Sequence, residues 1–243
     1  MSAASPALYP AASLRVAGLT RLSSVDWPGR LVATVFLQGC PWECTYCHNP
    51  DLIPPRRPAA MSWAAVLEFL RSRVGLLDGV VFSGGEPTMQ RALPAAIDDV
   101  RALGFAAGLH TGGAYPALLA RMLPRLDWVG LDVKASFADY TALTTRPSSG
   151  PAAEQSLSLV VANALVRRDG PHPLAYEVRT TVHPDLIDEA GVRALGRDLA
   201  DRGATHWAVQ RYRATGTRSG PATRPPLRLD DLPRELFSQL VVR

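Results

Sequence analysis

The chain has 243 residues, 47% hydrophobic and 20% charged, with a net charge of +4. That balance suits one globular domain with a sizeable core. The charge is mild and spread out, where a nucleic-acid binder would concentrate it, and no run reaches the 18 apolar residues a membrane-spanning helix needs. Residues 1–14 (MSAASPALYPAASL) lack a basic start and a continuous apolar stretch, so they read as a flexible tail and not a signal peptide. The expected compartment is the cytoplasm. One domain is expected over 15–213, followed by a C-terminal tail, 214–243, with room for a short helix.

The first expected strand is 31–37 (LVATVFL), and the loop after it carries Cys40, Cys44 and Cys47. Trp63, Val66, Leu67, Leu70 and Val74 form an apolar helical stripe with Ser62 as its N-cap. A strand at 79–82 (GVVF) leads into Ser83-Gly84-Gly85-Glu86-Pro87. Leu93, Ile97 and Val100 mark a second helix. A strand at 105–109 (FAAGL) leads into His110-Thr111-Gly112-Gly113, and Pro116 and Pro124 keep the next helix brief. The strand at 128–133 (WVGLDV) closes on Asp132 and Lys134. Leu157, Val160, Val161, Ala164 and Leu165 form a third stripe. Strands at 175–182 (AYEVRTTV) and 206–210 (HWAVQ) flank a fourth, Val192, Leu195 and Leu199. Residues 214–226 are turn-rich.

Continuous apolar strands alternating with helices point to α/β with parallel strands. Six units suit a partial (β/α)6 TIM-like barrel, with a doubly wound sheet as the alternative. In either fold the chemistry gathers at the C-terminal ends of the strands. Each of the motifs above falls there.

Three cysteines within eight residues admit three readings. A zinc site would need His48, but His48 directly follows Cys47, and adjacent ligands rarely close one tetrahedron. Unligated thiols would normally scatter through the core. An iron–sulfur cluster usually takes four cysteines, so three leave one iron open to an exogenous ligand. The odd, clustered set also argues against a disulfide framework.

The C-x3-C-x2-C loop and the Gly-Gly-Glu turn together resemble the radical S-adenosylmethionine (radical SAM) superfamily. The resemblance implies a [4Fe–4S] cluster on Cys40, Cys44 and Cys47, with SAM chelating the open iron. Reductive cleavage of SAM there gives a 5′-deoxyadenosyl radical. It implies that Tyr46 lies near the adenine, and that Ser83, Gly84, Gly85 and Glu86 meet the methionine end. Glycines allow a close backbone approach, and a carboxylate accepts from an ammonium.

Val25-Asp26-Trp27-Pro28-Gly29-Arg30, Cys47-His48-Asn49-Pro50 and Leu131-Asp132-Val133-Lys134 are similar to motifs of the glycyl-radical-enzyme activating proteins. The likeness is to activators of anaerobic ribonucleoside-triphosphate reductase. It implies a glycyl radical enzyme as partner, an anaerobic ribonucleotide reductase, and a flavodoxin- or ferredoxin-type electron donor. It also implies that Lys134 contacts the SAM carboxylate and that Asp132 serves a cation or a hydrogen-bond network. Lys134 is the one lysine among 26 basic residues, where a compact ammonium differs from a planar fork. A strand-end salt bridge is the plain alternative for both. Arg179 is read either as a clamp on a carboxylate or as an ion pair with an acid such as Glu177.

The alternatives to an activase are a small-molecule enzyme similar to 7-carboxy-7-deazaguanine synthase, and an iron–sulfur carrier or sensor. The arginines at 211, 213, 218, 224 and 228 read as a solvated loop or as a docking surface for an acidic partner.

Pyruvate formate-lyase activases carry Asp-Thr-Asn-Gly where this chain has His110-Thr111-Gly112-Gly113. Histidine does not replace a carboxylate as a ligand for a hard cation. His110 is then read as a hydrogen-bonding partner of SAM or as a satisfied strand-end histidine, beside Thr111. SAM cleavage is therefore expected to proceed without added potassium or sodium. A cleavage assay in buffers stripped of both ions checks this, and collapse of the rate would reject it.

Overall fold

The computed structural model describes residues 9–243, so most of the expected tail at 1–14 lies outside the described residues. Its last residue, Leu14, is buried against the core. In chain order the elements are β1 (Val16–Ser23), β2 (Val32–Leu37), α1 (Trp63–Arg71), β3 (Gly79–Gly84), α2 (Leu93–Ala102), β4 (Ala106–Thr111), α3 (Pro116–Met122), β5 (Trp128–Asp132), α4 (Tyr140–Thr144), α5 (Ser149–Arg167), β6 (Ala175–Val182), α6 (Glu189–Asp201), β7 (His206–Arg211) and β8 (Gln239–Val242).

The strands form one eight-stranded sheet in sequence order. β1 pairs antiparallel to β2, and every pairing from β2 to β8 is parallel. The edge strands β1 and β8 do not meet, so the α/β barrel is open, as the partial-barrel expectation requires. All six expected strands are present, and β1 and β8 are additions. β1 (VAGLTRLS) has only its first and last residues buried, so it lacks an apolar run to betray it. β8 is four residues long, and none of it is fully buried.

The apolar runs become strands because both of their faces are covered. Outward residues such as Val35, Leu37, Phe82 and Leu109 pack under the helices. Inward ones form a smaller cluster of Trp27, Val32, Val81 and Trp128, with the two indoles stacked at 5.5 Å. The helical stripes also hold: Trp63, Val66 and Leu70 of α1, Leu93, Ile97 and Val100 of α2, and Val192, Leu195 and Leu199 of α6 are buried. Two stripes overreached. α1 ends at Arg71, which leaves Val74 exposed, and Leu165 faces solvent near the end of α5. Pro116 opens the short α3 at its first turn, where its missing N–H costs nothing.

Ser62 caps α1, its hydroxyl oxygen accepting from the Ala65 N–H at 3.2 Å. Ser62→Ala should lower global stability by about 1 kcal/mol, read as a reduced urea midpoint at unchanged slope.

Candidate active site

Parallel pairing brings the C-terminal ends of β2 to β7 to one rim. Leu37 of β2 lies in register with Gly84 of β3, and Asp132 of β5 with Arg179 of β6. The loop leaving β2 carries the cysteines. Its path is fixed from two sides. Gly39 and Cys40 donate to the Leu52 and Ile53 carbonyls, while Glu43 and Thr45 donate to the Thr144 and Leu143 carbonyls of α4. Trp42 wedges edge-on against Tyr140 of the same helix, 5.8 Å between centroids.

Cys40, Cys44 and Cys47 line one cavity of about 150 Å³, together with Tyr46, Gly84, Gly85, Glu86, Asp132 and Lys134. It shares Gly84, Gly85, Gly112, Asp132 and Thr181 with a cleft of about 720 Å³ that also reaches Asp26, Ser83, His110, Thr111 and Arg179. The residues that the resemblance assigns to the cluster and to SAM therefore meet at one place. Burial pushes the Cys40 thiol up to about 12, with Glu86 adding to the shift, and burial raises Cys44 as well. Burial thus favours the protonated form of Cys40 and Cys44, and a metal centre must displace those two protons on binding.

The Gly-Gly turn has a local cause. Gly84 adopts φ +117°, and a Cβ there would lie 2.3 Å from the Leu37 nitrogen. A Cβ on Gly85 would lie 2.2 Å from the Gly39 carbonyl oxygen. Both glycines thus let β3 run hard against the start of the cysteine loop.

Glu86 is buried and its carboxylate is held by the protein. Oε1 accepts from the Thr88 N–H at 3.0 Å and from the Thr88 and Thr111 hydroxyls at 2.6 Å each. Oε2 accepts from the Gly112 N–H at 2.9 Å, which leaves that oxygen a free lone pair. Burial raises the carboxyl, opposed by the Thr111 and Thr88 hydrogen bonds.

Asp132 joins two cations. Its Oδ1 accepts from Arg179 at 2.8 and 3.0 Å, and its Oδ2 lies 3.2 Å from Lys134 Nζ. Arg179 therefore pairs with Asp132 and not with Glu177, which binds Arg243 at 2.6 Å. The register opposite Asp132 decides this. Burial alone would raise the Asp132 carboxyl, but Arg179 and then Lys134 hold it below the usual carboxylate range. Burial would lower Lys134, and Asp132 reverses that to keep it charged. One of its three donors is spent on Asp132, so the ammonium retains donors toward the cysteine cavity.

His110 donates Nε2–H to the Asp26 carbonyl at 2.6 Å and packs edge-on against Trp128. Its Nε2 is thus satisfied by the protein. Burial, reinforced by Arg179, lowers its pKa to about 3.

Three contributors escaped the sequence. Tyr140 accepts from the Lys134 N–H at 2.9 Å and donates to the Asp132 carbonyl, so α4 braces the Asp-Val-Lys corner as well as the cysteine loop. His183 stacks on Tyr212 at 4.0 Å and faces Tyr46 at 6.1 Å. The Tyr46 hydroxyl and His183 Nε2 are buried without partners. Both line a neighbouring cavity of about 700 Å³ that shares Lys134 and Thr181 with the sites above. Short helices and lone aromatics leave no periodic signal to find them by.

The model of the radical SAM superfamily matches residues 34–161, more than half of the chain. The chain belongs to the radical SAM superfamily. A relative from Methanocaldococcus jannaschii, provisionally named a glycyl-radical enzyme activating enzyme, is 26% identical over 204 residues, 81% of this chain and 79% of that protein. The 7-carboxy-7-deazaguanine synthase of Thermococcus kodakarensis is 29% identical over 133 residues, 46% of this chain and 53% of that protein. The solved structure of Streptococcus suis SuiB bound to its precursor peptide SuiA has the same fold, with a TM-score of 0.57 at 14% identity over 84% of this chain and 46% of SuiB.

Membership of the radical SAM superfamily implies a [4Fe–4S] cluster and SAM, and the residues fit both. Among the described residues no three His, Cys, Asp or Glu side chains converge as a single-ion site demands, which disfavours the zinc reading. A cluster spreads its thiolates over separate irons, so three thiols lining one cavity suffice. The two orphaned polar atoms beside that cavity await partners of the kind a bound heterocycle brings.

His110 gives the site a distinct pH signature. An unfolded histidine protonates near 6.5, while the native ring stays neutral down to about 3. The unfolded state then binds the extra proton, so stability falls as pH drops below ~6.5. Loss from Asp132, whose native pKa is depressed, begins only below ~4. Urea midpoints measured from pH 8 to 5 should decline, and His110→Gln, which keeps a donor for Asp26, should reduce that decline, His48 and His183, also lowered by burial, supplying the rest.

Proposed function

We propose that this radical SAM enzyme is an activase that installs a glycyl radical on a separate partner, an anaerobic ribonucleoside-triphosphate reductase being the partner its motifs resemble. The observation that carries the reading is the coverage of the activase-like relative, which aligns with 81% of this chain and 79% of its own length. The deazaguanine synthase relative aligns with under half of this chain. The Cys-His-Asn and Asp-Val-Lys motifs point the same way.

In this reading Cys40, Cys44 and Cys47 would hold the cluster. When bound, the cluster and SAM supply one-electron reductive cleavage that yields a hydrogen-atom abstractor. The chain's own residues position the reactants. The Lys134 ammonium, kept charged by Asp132, binds the SAM carboxylate. The free lone pair of Glu86 and the backbone of Ser83, Gly84 and Gly85 receive the ammonium. Tyr46 and His183 offer their unpartnered polar atoms to the nucleoside end. Arg179 orients Asp132 and contributes its remaining N–H groups to the larger cleft. His110 and Thr111 shape that cleft without charge, His110 through Asp26 and Thr111 through Glu86. The cleft of about 720 Å³ has room for a glycine-bearing peptide segment.

The test is anaerobic reconstitution with iron and sulfide, then incubation with SAM, a reductant and the candidate reductase. A glycyl-radical EPR doublet on the reductase is expected. Cys44→Ala should lose cluster absorbance and SAM cleavage together. SAM cleavage without any doublet would sink the activase reading, and turnover of a soluble substrate would favour the small-molecule one.

A further inference from the structure

Two segments distant in sequence cover the outer side of the cysteine loop, and both bring arginines. After β7, Tyr212 packs its ring 6.1 Å from His48 and 6.5 Å from Tyr46, the residues flanking Cys47. Its hydroxyl binds Thr217, Ser219 and Gly220 and so gathers the turn that follows. From that turn the Arg218 N–H donates to the Cys47 carbonyl at 3.1 Å. One hydrogen bond therefore separates an exposed turn from a cluster-ligating residue. After α4, Arg146 donates through Nε to the Pro41 carbonyl at 2.9 Å.

The two guanidinium groups bracket a single carboxylate. Arg146 and Arg218 each approach a different oxygen of Glu43 at 3.7 Å, and their side chains remain 54% and 48% exposed. At that separation neither fork is saturated. Two cations against one anion leave a positive patch directly over the cluster loop, and Arg213 is exposed on the same turn. Of the other arginines in this stretch, Arg211 is tied to the Leu227 carbonyl and Arg228 lies beside Glu189.

We propose that Arg146 and Arg218 form the docking surface for an acidic one-electron carrier protein. Reductive SAM cleavage consumes one electron, which must reach the cluster from outside it. The transfer is of an electron alone: the carrier is oxidised by one unit, the cluster is reduced by one, and no bond or proton moves. An exposed cationic patch one hydrogen bond from Cys47 steers an acidic carrier to the outer side of the cysteine loop. The inference rests on the cluster at Cys40, Cys44 and Cys47 and not on the glycyl-radical step.

The experiment uses the reconstituted holoenzyme with a purified flavodoxin as the probe. The dissociation constant is measured, and SAM cleavage is driven in parallel by reduced flavodoxin and by dithionite, which needs no docking. The double variant Arg146→Glu/Arg218→Glu should bind flavodoxin at least about tenfold more weakly and lose flavodoxin-driven cleavage in proportion. Cluster absorbance and dithionite-driven cleavage should stay within about twofold of wild type. Arg146→Lys/Arg218→Lys should keep the binding, and added salt should weaken it in the wild type.

An unchanged dissociation constant in the Glu variant would overturn the proposal. So would equal loss of dithionite-driven cleavage in the Lys and Glu variants, because the arginines would then merely hold the loop. Loss confined to radical transfer onto the glycyl radical enzyme would give the surface to that protein instead. A wild type that binds flavodoxin through these arginines but makes no glycyl radical would fail the activase reading and leave this one standing.

Discussion

Two carboxylates, the buried Glu86 and the half-buried Asp132, govern the geometry of the rim. A charge removed from water must be repaid by hydrogen bonds or counter-charges. Glu86 meets that demand with the Thr88 N–H, the Thr88 and Thr111 hydroxyls and the Gly112 N–H. In doing so it locks the turn after β3 to the turn after β4. Asp132 meets it with Arg179 and Lys134, which locks the end of β5 to β6. The cysteine loop then has rigid walls on both sides, and Tyr140 carries the rigidity of the second wall down to α4.

The same economy separates the roles of residues that look alike in sequence. His110 and His183 both sit at strand ends, yet only His110 has its Nε2 satisfied, by the Asp26 carbonyl. His183 uses Nδ1 to accept from the Asp185 N–H and leaves Nε2 without a partner. Each ring therefore keeps one nitrogen without a protein partner, Nδ1 in His110 and Nε2 in His183. Likewise the glycines of the Gly-Gly-Glu turn answer to packing first, since Cβ atoms at Gly84 and Gly85 would strike Leu37 and Gly39. Close approach to a ligand is a second use of space that the fold already required.

Much of the architecture was legible because its signals are local or periodic. Continuous apolar runs marked six strands, 3.6-residue stripes marked the long helices, Ser62 marked a helix start, and Pro116 and Pro124 marked a short helix. β1, β8 and α4 were not legible. An exposed edge strand, a four-residue strand and a five-residue helix are too short or too exposed to carry a pattern. Among the candidate site residues, the cysteines stood out by spacing, and the Gly-Gly-Glu turn and the Asp132/Lys134 pair by motif resemblance at strand ends. Tyr140, His183 and Tyr212 were not, because each matters through a neighbour far away in sequence.

The sequence by itself determined the chemistry on offer: three thiols one short of a closed site, a glycine turn ending in a carboxylate, and a lone lysine two residues after an aspartate. It also determined the parallel α/β plan, since burial on both faces demands unbroken apolar strands. Only the tertiary structure decided who pairs with whom. Arg179 faced Glu177 or a ligand on paper, but the β5–β6 register puts it opposite Asp132. The C-terminal arginines were a diffuse charge run until the turn after Tyr212 folded back and tied Arg218 to Cys47. Pairings of this kind depend on register and chain return, and neither is written in any local stretch of residues.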